Sequence, residues 1–234
     1  MPVTPVTIVF ALFPGVTQLD FTGPHQVFAR LPGAEIILAS RAGGAIETDG
    51  ITFAGLRRLA DIARCDVICV PGGFGATDNA IADDEFLHHL RRLAATARFV
   101  TSVCTGSLVL GAAGLLRGKR AACHWAWRDM LPAFGAIPDS ARVVRDGNIF
   151  SGGGVTAGID FALTLVAEIA GADVAQMIQL GIEYAPAPPF EAGDPTTAPP
   201  TILARVQQRN AEVLPTRRRA VEAAAARLVH AAAD

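Results

Sequence analysis

No surplus of either charge runs through this chain of 234 residues, in which twenty Lys and Arg stand against twenty-two Asp and Glu. A balance this close leaves no electrostatic footprint for nucleic acid or for an anionic membrane, so the expected partner is a small molecule. Cysteine is scarce, and its four copies, Cys65, Cys69, Cys104 and Cys123, show neither the paired C-x-x-C spacing of a zinc site nor the density of a disulfide framework. That usage suits a reducing compartment, and a cytoplasmic protein without a metal is expected. Met1 to Phe13 lacks a basic run ahead of its apolar stretch, and Pro14-Gly15 cuts that stretch well short of membrane-spanning length. It reads as a first strand. No linker divides the first 180 residues and there are no internal repeats, so one α/β domain is the simplest organisation.

What the chain does have is core. Half of it is hydrophobic (51%), enough to fill a large interior without covalent staples. Val6 to Leu12, Glu35 to Ser40 and Cys65 to Val70 are apolar runs of strand length, and Arg120 to Trp125 is strand-like. Asp49-Gly50, within Ala45 to Phe53, and Asp146-Gly147-Asn148, within Ala141 to Phe150, mark two hairpins. Helical spacing appears from Asp20 through Val27, Phe28 and Leu31, and again over Asp83 to Arg98, where Phe86, Leu87, Leu90 and Leu93 form the buried stripe and His88 and His89 face solvent. Helices are also expected over Ile159 to Ala170, Ala172 to Gly181 and Thr201 to the end, the last preceded by an irregular proline-rich arm over 185–200. The expected division is 1–184 as the α/β domain, with 185–234 as arm and C-terminal helix packed on it.

The chemistry concentrates at Phe99-Val100-Thr101-Ser102-Val103-Cys104-Thr105-Gly106-Ser107-Leu108, a β-like run that reaches one cysteine and turns at once into a helical pattern. This is the form of a nucleophile elbow. A sharp strand-to-helix turn strains its central residue, small neighbours make room, and the helix N-terminus offers unpaired N–H groups that favour a thiolate. A lone cysteine is more often inert core; the strand and helix on either side favour Cys104 as a nucleophile.

Asp20 follows just past the end of the first strand, the edge where open α/β sheets bind ligands, although a helix cap or first-turn acid is the commoner role for such an Asp. Pro71-Gly72-Gly73-Phe74-Gly75 follows another strand. It fails as a phosphate cradle, since neither Lys-Ser/Thr nor a complete G-x-G-x-x-G is present. It is either a source of backbone N–H donors beside Cys104 or a plain tight turn. Gly152-Gly153-Gly154-Val155 permits close packing, either at a pocket wall or at a dimer seam. His124 lies downstream of Cys104 as a base would, but Ala126 stands where a His-x-Glu pair would want its acid, so His124 reads as a core or rim histidine.

Leu19-Asp20-Phe21-Thr22-Gly23-Pro24, the Pro71–Gly75 loop, Ser102-Val103-Cys104-Thr105-Gly106-Ser107-Leu108 and Gly154-Val155-Thr156-Ala157-Gly158-Ile159-Asp160 together resemble the DJ-1/PfpI superfamily over nearly the whole chain. Within it the chain is most similar to the isonitrile hydratases, which carry Thr after the nucleophilic Cys, an Asp partner and a proline-rich tail. The resemblance implies a flavodoxin-like three-layer sandwich with a mainly parallel sheet, a homodimer, and no cofactor. It also implies Cys104 as nucleophile, Asp20 as acid/base and Thr105 as support. Gly72, Gly73, Phe74, Gly153 and Val155 are the candidate substrate-binding residues, with Phe74, Trp125 and Val155 as apolar walls. PfpI-type proteases place His directly after the cysteine, where this chain has Thr105, so a protease is not expected. Nor is a DNA-binding regulator, as only about thirty residues follow the arm. The rival readings are glyoxalase or deglycase-like chemistry on dicarbonyls and a redox-sensing or chaperone-like role for Cys104.

Overall fold

The computed structural model describes residues 5–230. The chain runs β1 (Val6–Leu12), α1 (Gln18–Phe28), β2 (Ala34–Ser40), β3 (Gly44–Thr48), β4 (Ile51–Arg58), β5 (Val67–Val70), a single turn α2 (Gly75–Asp78), α3 (Asp84–Ala94), β6 (Phe99–Val103), α4 (Gly106–Ala112), β7 (Arg120–Ala122), β8 (Ile137–Asp139), β9 (Val143–Asp146), β10 (Ile149–Gly152), α5 (Ala157–Ala170), α6 (Ala172–Gly181) and α7 (Pro200–His230). Eight strands form one sheet in the order β3-β4-β2-β1-β5-β6-β10-β9, while β7 and β8 pair separately. From β4 to β10 the neighbours are parallel, with an antiparallel strand at each edge.

The central strands β5, β6 and β10 are buried at every residue, which is why they read as continuous apolar runs rather than alternating ones. On one face α1 packs against α5, Phe28 meeting Phe161 edge to face with ring centres 5.9 Å apart, and α6 packs on α5. On the other lie α3 and α4, covered in part by α7, which buries Val221 and Ala224. Arg218 of α7 pairs with Asp129 at 3.0 Å, and the Arg227 guanidinium donates to the Ile81 carbonyl at 2.8 Å. The result is the expected three-layer α/β sandwich. The chain leaves β1 toward β2 on one side and later crosses back to β5 on the other, so β1 and β5 flank the point where strand order reverses. Ligand crevices open outside the carboxyl ends of strands at such a point.

Several local expectations differ from what forms. The strand expected over Arg120 to Trp125 stops at Ala122, because the chain turns at His124, whose carbonyl accepts from the Trp127 N–H at 2.9 Å. The helix expected to Arg98 ends at Ala94. His88 is exposed as expected, but His89 is only 8% exposed, with both ring nitrogens lacking a hydrogen-bond partner among the described residues. Lying three residues after Phe86 and four before Leu93, it shares their buried face. Both hairpins form at the expected turns. Asp49 and Gly50 have φ of 52° and 74°, the double positive that a two-residue hairpin turn demands, and the β4 limb goes on to join the main sheet beside β2.

Candidate active site

Cys104 stands between β6 and α4 with φ of 58°, a left-handed conformation that costs a non-glycine residue about 1–2 kcal/mol. The surroundings hold it there. Its N–H donates to the Gly152 carbonyl at the end of β10 at 3.0 Å, and the Ser107 hydroxyl bonds Ser102 Oγ at 3.0 Å, the Cys104 carbonyl at 3.4 Å and the Ala122 carbonyl. Gly106 follows because a Cβ there would run into the carbonyl oxygens of Val70 and Pro71.

Asp20 enters from the first turn of α1 and is fully buried. Its side chain does not cap its own helix. Instead Oδ2 accepts from the Gly72 N–H across 52 residues of sequence at 2.9 Å, and Oδ1 has no hydrogen-bond partner among the described residues. The helix-cap alternative for Asp20 is thereby excluded. Thr105 Oγ1 accepts from the Gly73 N–H at 2.9 Å and lies 3.1 Å from the Gly73 carbonyl, to which it donates. With Gly75 N–H bonded to the Gly15 carbonyl at 3.0 Å, the loop's glycine donors at 72, 73 and 75 are all engaged within the protein. The loop therefore positions Asp20 and Thr105 rather than offering those N–H groups to a reacting oxygen.

Gly72 is the tightest joint of this arrangement. A Cβ on it would sit 2.5 Å from the Thr105 nitrogen, 2.7 Å from Thr105 Oγ1 and 2.9 Å from Asp20 Oδ2. Gly72→Ala must shift both side chains, and misplacement of a reacting group by about an ångström costs about 10²-fold in rate. A fall of that order in kcat/KM, with the β-sheet spectrum retained, is the expected result; an Ala variant with wild-type kinetics would refute the joint.

Burial governs the charges here. It lifts the Asp20 carboxyl from its ordinary 3.8 to about 7, against the lowering effects of the Gly72 N–H and the nearby Cys104 side chain. Burial likewise pushes the Cys104 thiol well above its usual value, with the Asp20 charge and then Cys123 adding to the rise, while the Thr105 N–H and hydroxyl favour the thiolate. The Asp20 charge thus opposes ionisation of Cys104, while the Cys104 side chain favours the Asp20 carboxylate, so the two groups titrate as a coupled pair.

A cavity of about 520 Å³ opens over the elbow. Gly73, Phe74, Cys104, Thr105 and Val155 line it, with Thr17, His124, Trp127 and five residues of α7, Arg209, Asn210, Glu212, Val213 and Arg217. Gly72 and Asp20 lie outside the lining, and Gly153, whose N–H donates to the Arg142 carbonyl at 2.9 Å, does too. Trp125 stacks on His124 with ring centres 5.7 Å apart, leaving Trp127 as the wall. His124 is held below its usual range by burial and then by the Arg217 charge, so it lines the cavity as a neutral ring near pH 7. A second cavity, about 250 Å³ between Leu12, Ser40, Arg41 and Phe86, holds no nucleophile. Among the described residues no three His, Cys, Asp or Glu side chains gather as a metal site requires.

The model of the DJ-1/PfpI family matches residues 6–168, from β1 to within α5. The chain belongs to the DJ-1/PfpI family. Among curated relatives of this family it is 52% identical, over 220 residues, to the isonitrile hydratase of Pseudomonas putida, covering 94% of this chain and 96% of that one. A crystal structure of a ThiJ/PfpI family protein from Pseudomonas syringae superposes with a TM-score of 0.89 at 40% identity, over 95% of this chain and 91% of that one. Drosophila melanogaster DJ-1beta, at 23% identity and a TM-score of 0.68, shares the fold and is matched along its whole length by 78% of this chain.

Proposed function

We propose that the protein is an isonitrile hydratase, adding water to R–N≡C to give the N-substituted formamide R–NH–CHO. The observation that carries the reading is full-length similarity to the Pseudomonas putida isonitrile hydratase, joined to a cysteine and a buried carboxyl that share one proton. An isonitrile's terminal carbon accepts both a nucleophile and a proton, and this pair supplies both.

In the productive state the sulfur is ionised and Asp20 carries the proton. The Thr105 N–H stabilises that thiolate, joined by the Thr105 hydroxyl when its proton turns from the Gly73 carbonyl to the sulfur. Cys104 Sγ bonds to the isonitrile carbon while Asp20 delivers its proton to the same carbon, giving a thioimidate, S–CH=N–R. Water then adds to that carbon: Asp20 takes one water proton and passes it to the imine nitrogen, leaving S–CH(OH)–NH–R and Asp20 ionised. The C–S bond breaks, its electron pair returns to sulfur, and the hydroxyl proton passes to Asp20. Formamide leaves and the starting state is restored.

Asp20 can hold its proton near neutrality because burial sets its affinity, while Gly72 fixes the carboxyl through Oδ2 and leaves Oδ1 free. Gly73, Phe74 and Val155 serve as substrate walls, and Gly72 and Gly153 act through position rather than contact. The family resemblance supports a homodimer, to which Met177 and Leu180, 73% and 83% exposed on α6, offer apolar surface. Cytoplasmic residence fits four free cysteines. Residues 185–234 work as one unit with 1–184, a reading supported by Val221 and Ala224 of α7 lying in the common core.

The test is conversion of cyclohexyl isocyanide to N-cyclohexylformamide, followed by chromatography for the wild type and Cys104→Ala. Turnover lost in the variant is expected. A folded, reduced wild type that forms no formamide removes the assignment, and methylglyoxal becomes the next substrate to try.

A further inference from the structure

Arg217 is unlike the other arginines of this chain. It projects from α7 into the core side of the molecule and is only 4% exposed. Its guanidinium carbon sits over the faces of two rings, 4.1 Å from the centre of Trp127 and 4.5 Å from that of Phe74. Among the described residues it makes no hydrogen bond and no ion pair; the charges of Asp78 and then of Cys104 reach it, but without contact. All three residues of this clamp line the cavity that contains Cys104.

Ring faces answer the charge of a guanidinium but not its five N–H donors. The Arg217 nitrogens are not among the sealed atoms without partners, so they open on the cavity, where a cation with no protein acceptor is normally answered by water or by a ligand. An acceptor in the cavity would answer those donors. The clamp also fixes the guanidinium before any ligand arrives, which reduces the ordering cost of binding and presents a planar fork suited to a carboxylate. The other charged lining residues, Arg209 and Glu212, balance each other, so Arg217 gives the lining its net positive charge.

The reacting end of the substrate is fixed at the sulfur by the hydratase reading, on which this step rests. The substituent then lies in a cavity of about 520 Å³, part of whose wall is α7. We propose that Arg217, clamped by Phe74 and Trp127, recognises an anionic acceptor carried on the isonitrile's substituent, so that the preferred substrates are isonitriles bearing a carboxylate. Such a molecule places its neutral carbon at the elbow and its charged end in the fork, and a purely hydrocarbon isonitrile leaves the fork unanswered.

The pair isocyanoacetate and methyl isocyanoacetate tests this, as the two differ only in whether the far end is a carboxylate or its neutral ester. We expect the wild type to favour the carboxylate in kcat/KM. R217M should lower the carboxylate-to-ester ratio at least about 30-fold, whereas R217K, keeping the charge but losing the fork, should fall between. A wild type that prefers the ester overturns the proposal, as does an R217M enzyme that loses both substrates equally, which is how a merely structural arginine behaves. If R217M does not fold, a ratio in R217K equal to the wild type's also overturns it. If neither is turned over while cyclohexyl isocyanide is, the carboxylate preference is overturned and the hydratase reading stands; if none of the three is, the hydratase reading has failed by itself. Calorimetric binding of N-formylglycine then decides: a dissociation constant raised at least about tenfold by R217M supports the anion site, and equal binding removes it.

Discussion

Cys104→Ser is expected to lower kcat/KM for an isonitrile by about 10⁴-fold or more, in a protein whose melting temperature barely moves. The substitution is nearly isosteric, and serine accepts the left-handed backbone at position 104 no worse than cysteine, since both carry a Cβ. The reactive state is what differs. The buried pair already strains to ionise a thiol, with burial and the Asp20 charge both opposing it. An alcohol loses its proton far less readily than a thiol, so the same environment leaves essentially no alkoxide to attack. Intact-mass analysis of a rapidly quenched reaction adds a second readout: wild type should gain the mass of the isonitrile as a thioimidate, and the Ser variant should not. A Ser enzyme within tenfold of wild type would sink the covalent route.

Asp20→Asn has the second-largest expected effect, a loss of about 10²–10⁴-fold, the usual range for a general acid–base group. Its signature lies in pH. The productive pair carries one proton, so below about pH 7, where Asp20 and Cys104 are both protonated, wild-type kcat/KM should fall about tenfold per unit. That acid limb belongs to the pair, and in the Asn variant it should move upward to report the thiol alone. Stability gives an independent check. Folded Asp20 keeps its proton up to about pH 7 but loses it near 3.8 once unfolded, so between those values the folded state binds the more protons. Stability from this group is therefore complete below about pH 4 and is lost as pH rises through 7, by about 4 kcal/mol in all. The Asn variant lacks that decline, and its melting temperature relative to wild type should climb from pH 4 to pH 8. Parallel curves would show that Asp20 titrates normally.

The parts legible in the sequence were those whose signal is local. Phe99 to Leu108 spells strand, turn and helix within ten residues, and the structure puts Cys104 at that hinge with the strained backbone such a turn implies. The Asp-Gly turns fixed both hairpins for the same reason. Asp20 was ambiguous because its partner, Gly72, is 52 residues away, and only folding decides between a cap and a buried acid. The glycine loop looked like a donor array, yet its N–H groups are taken by Gly15, Asp20 and Thr105, a matter of tertiary pairing. His89 was assigned to solvent on polarity alone, although its helical spacing from Phe86 and Leu93 already placed it inside. Arg217 left no trace at all. In the run Arg217-Arg218-Arg219 nothing local separates the residue clamped by two aromatic rings from the neighbour paired with Asp129. Trp127 was passed over for Trp125 because the turn at His124, which sends the two indoles different ways, is not written in hydrophobic periodicity.

The family match ends at residue 168, and α7 begins 32 residues later. Cys104 and Asp20 lie within the matched region, while five of the residues that line the cavity come from a helix outside it. Mutations on α7 away from Arg217, whose charge interacts with Cys104, can accumulate without touching the Asp20–Cys104 pair. Selection can act on the two separately, which makes this terminal helix the natural place for close relatives to diverge in diet while keeping one chemistry.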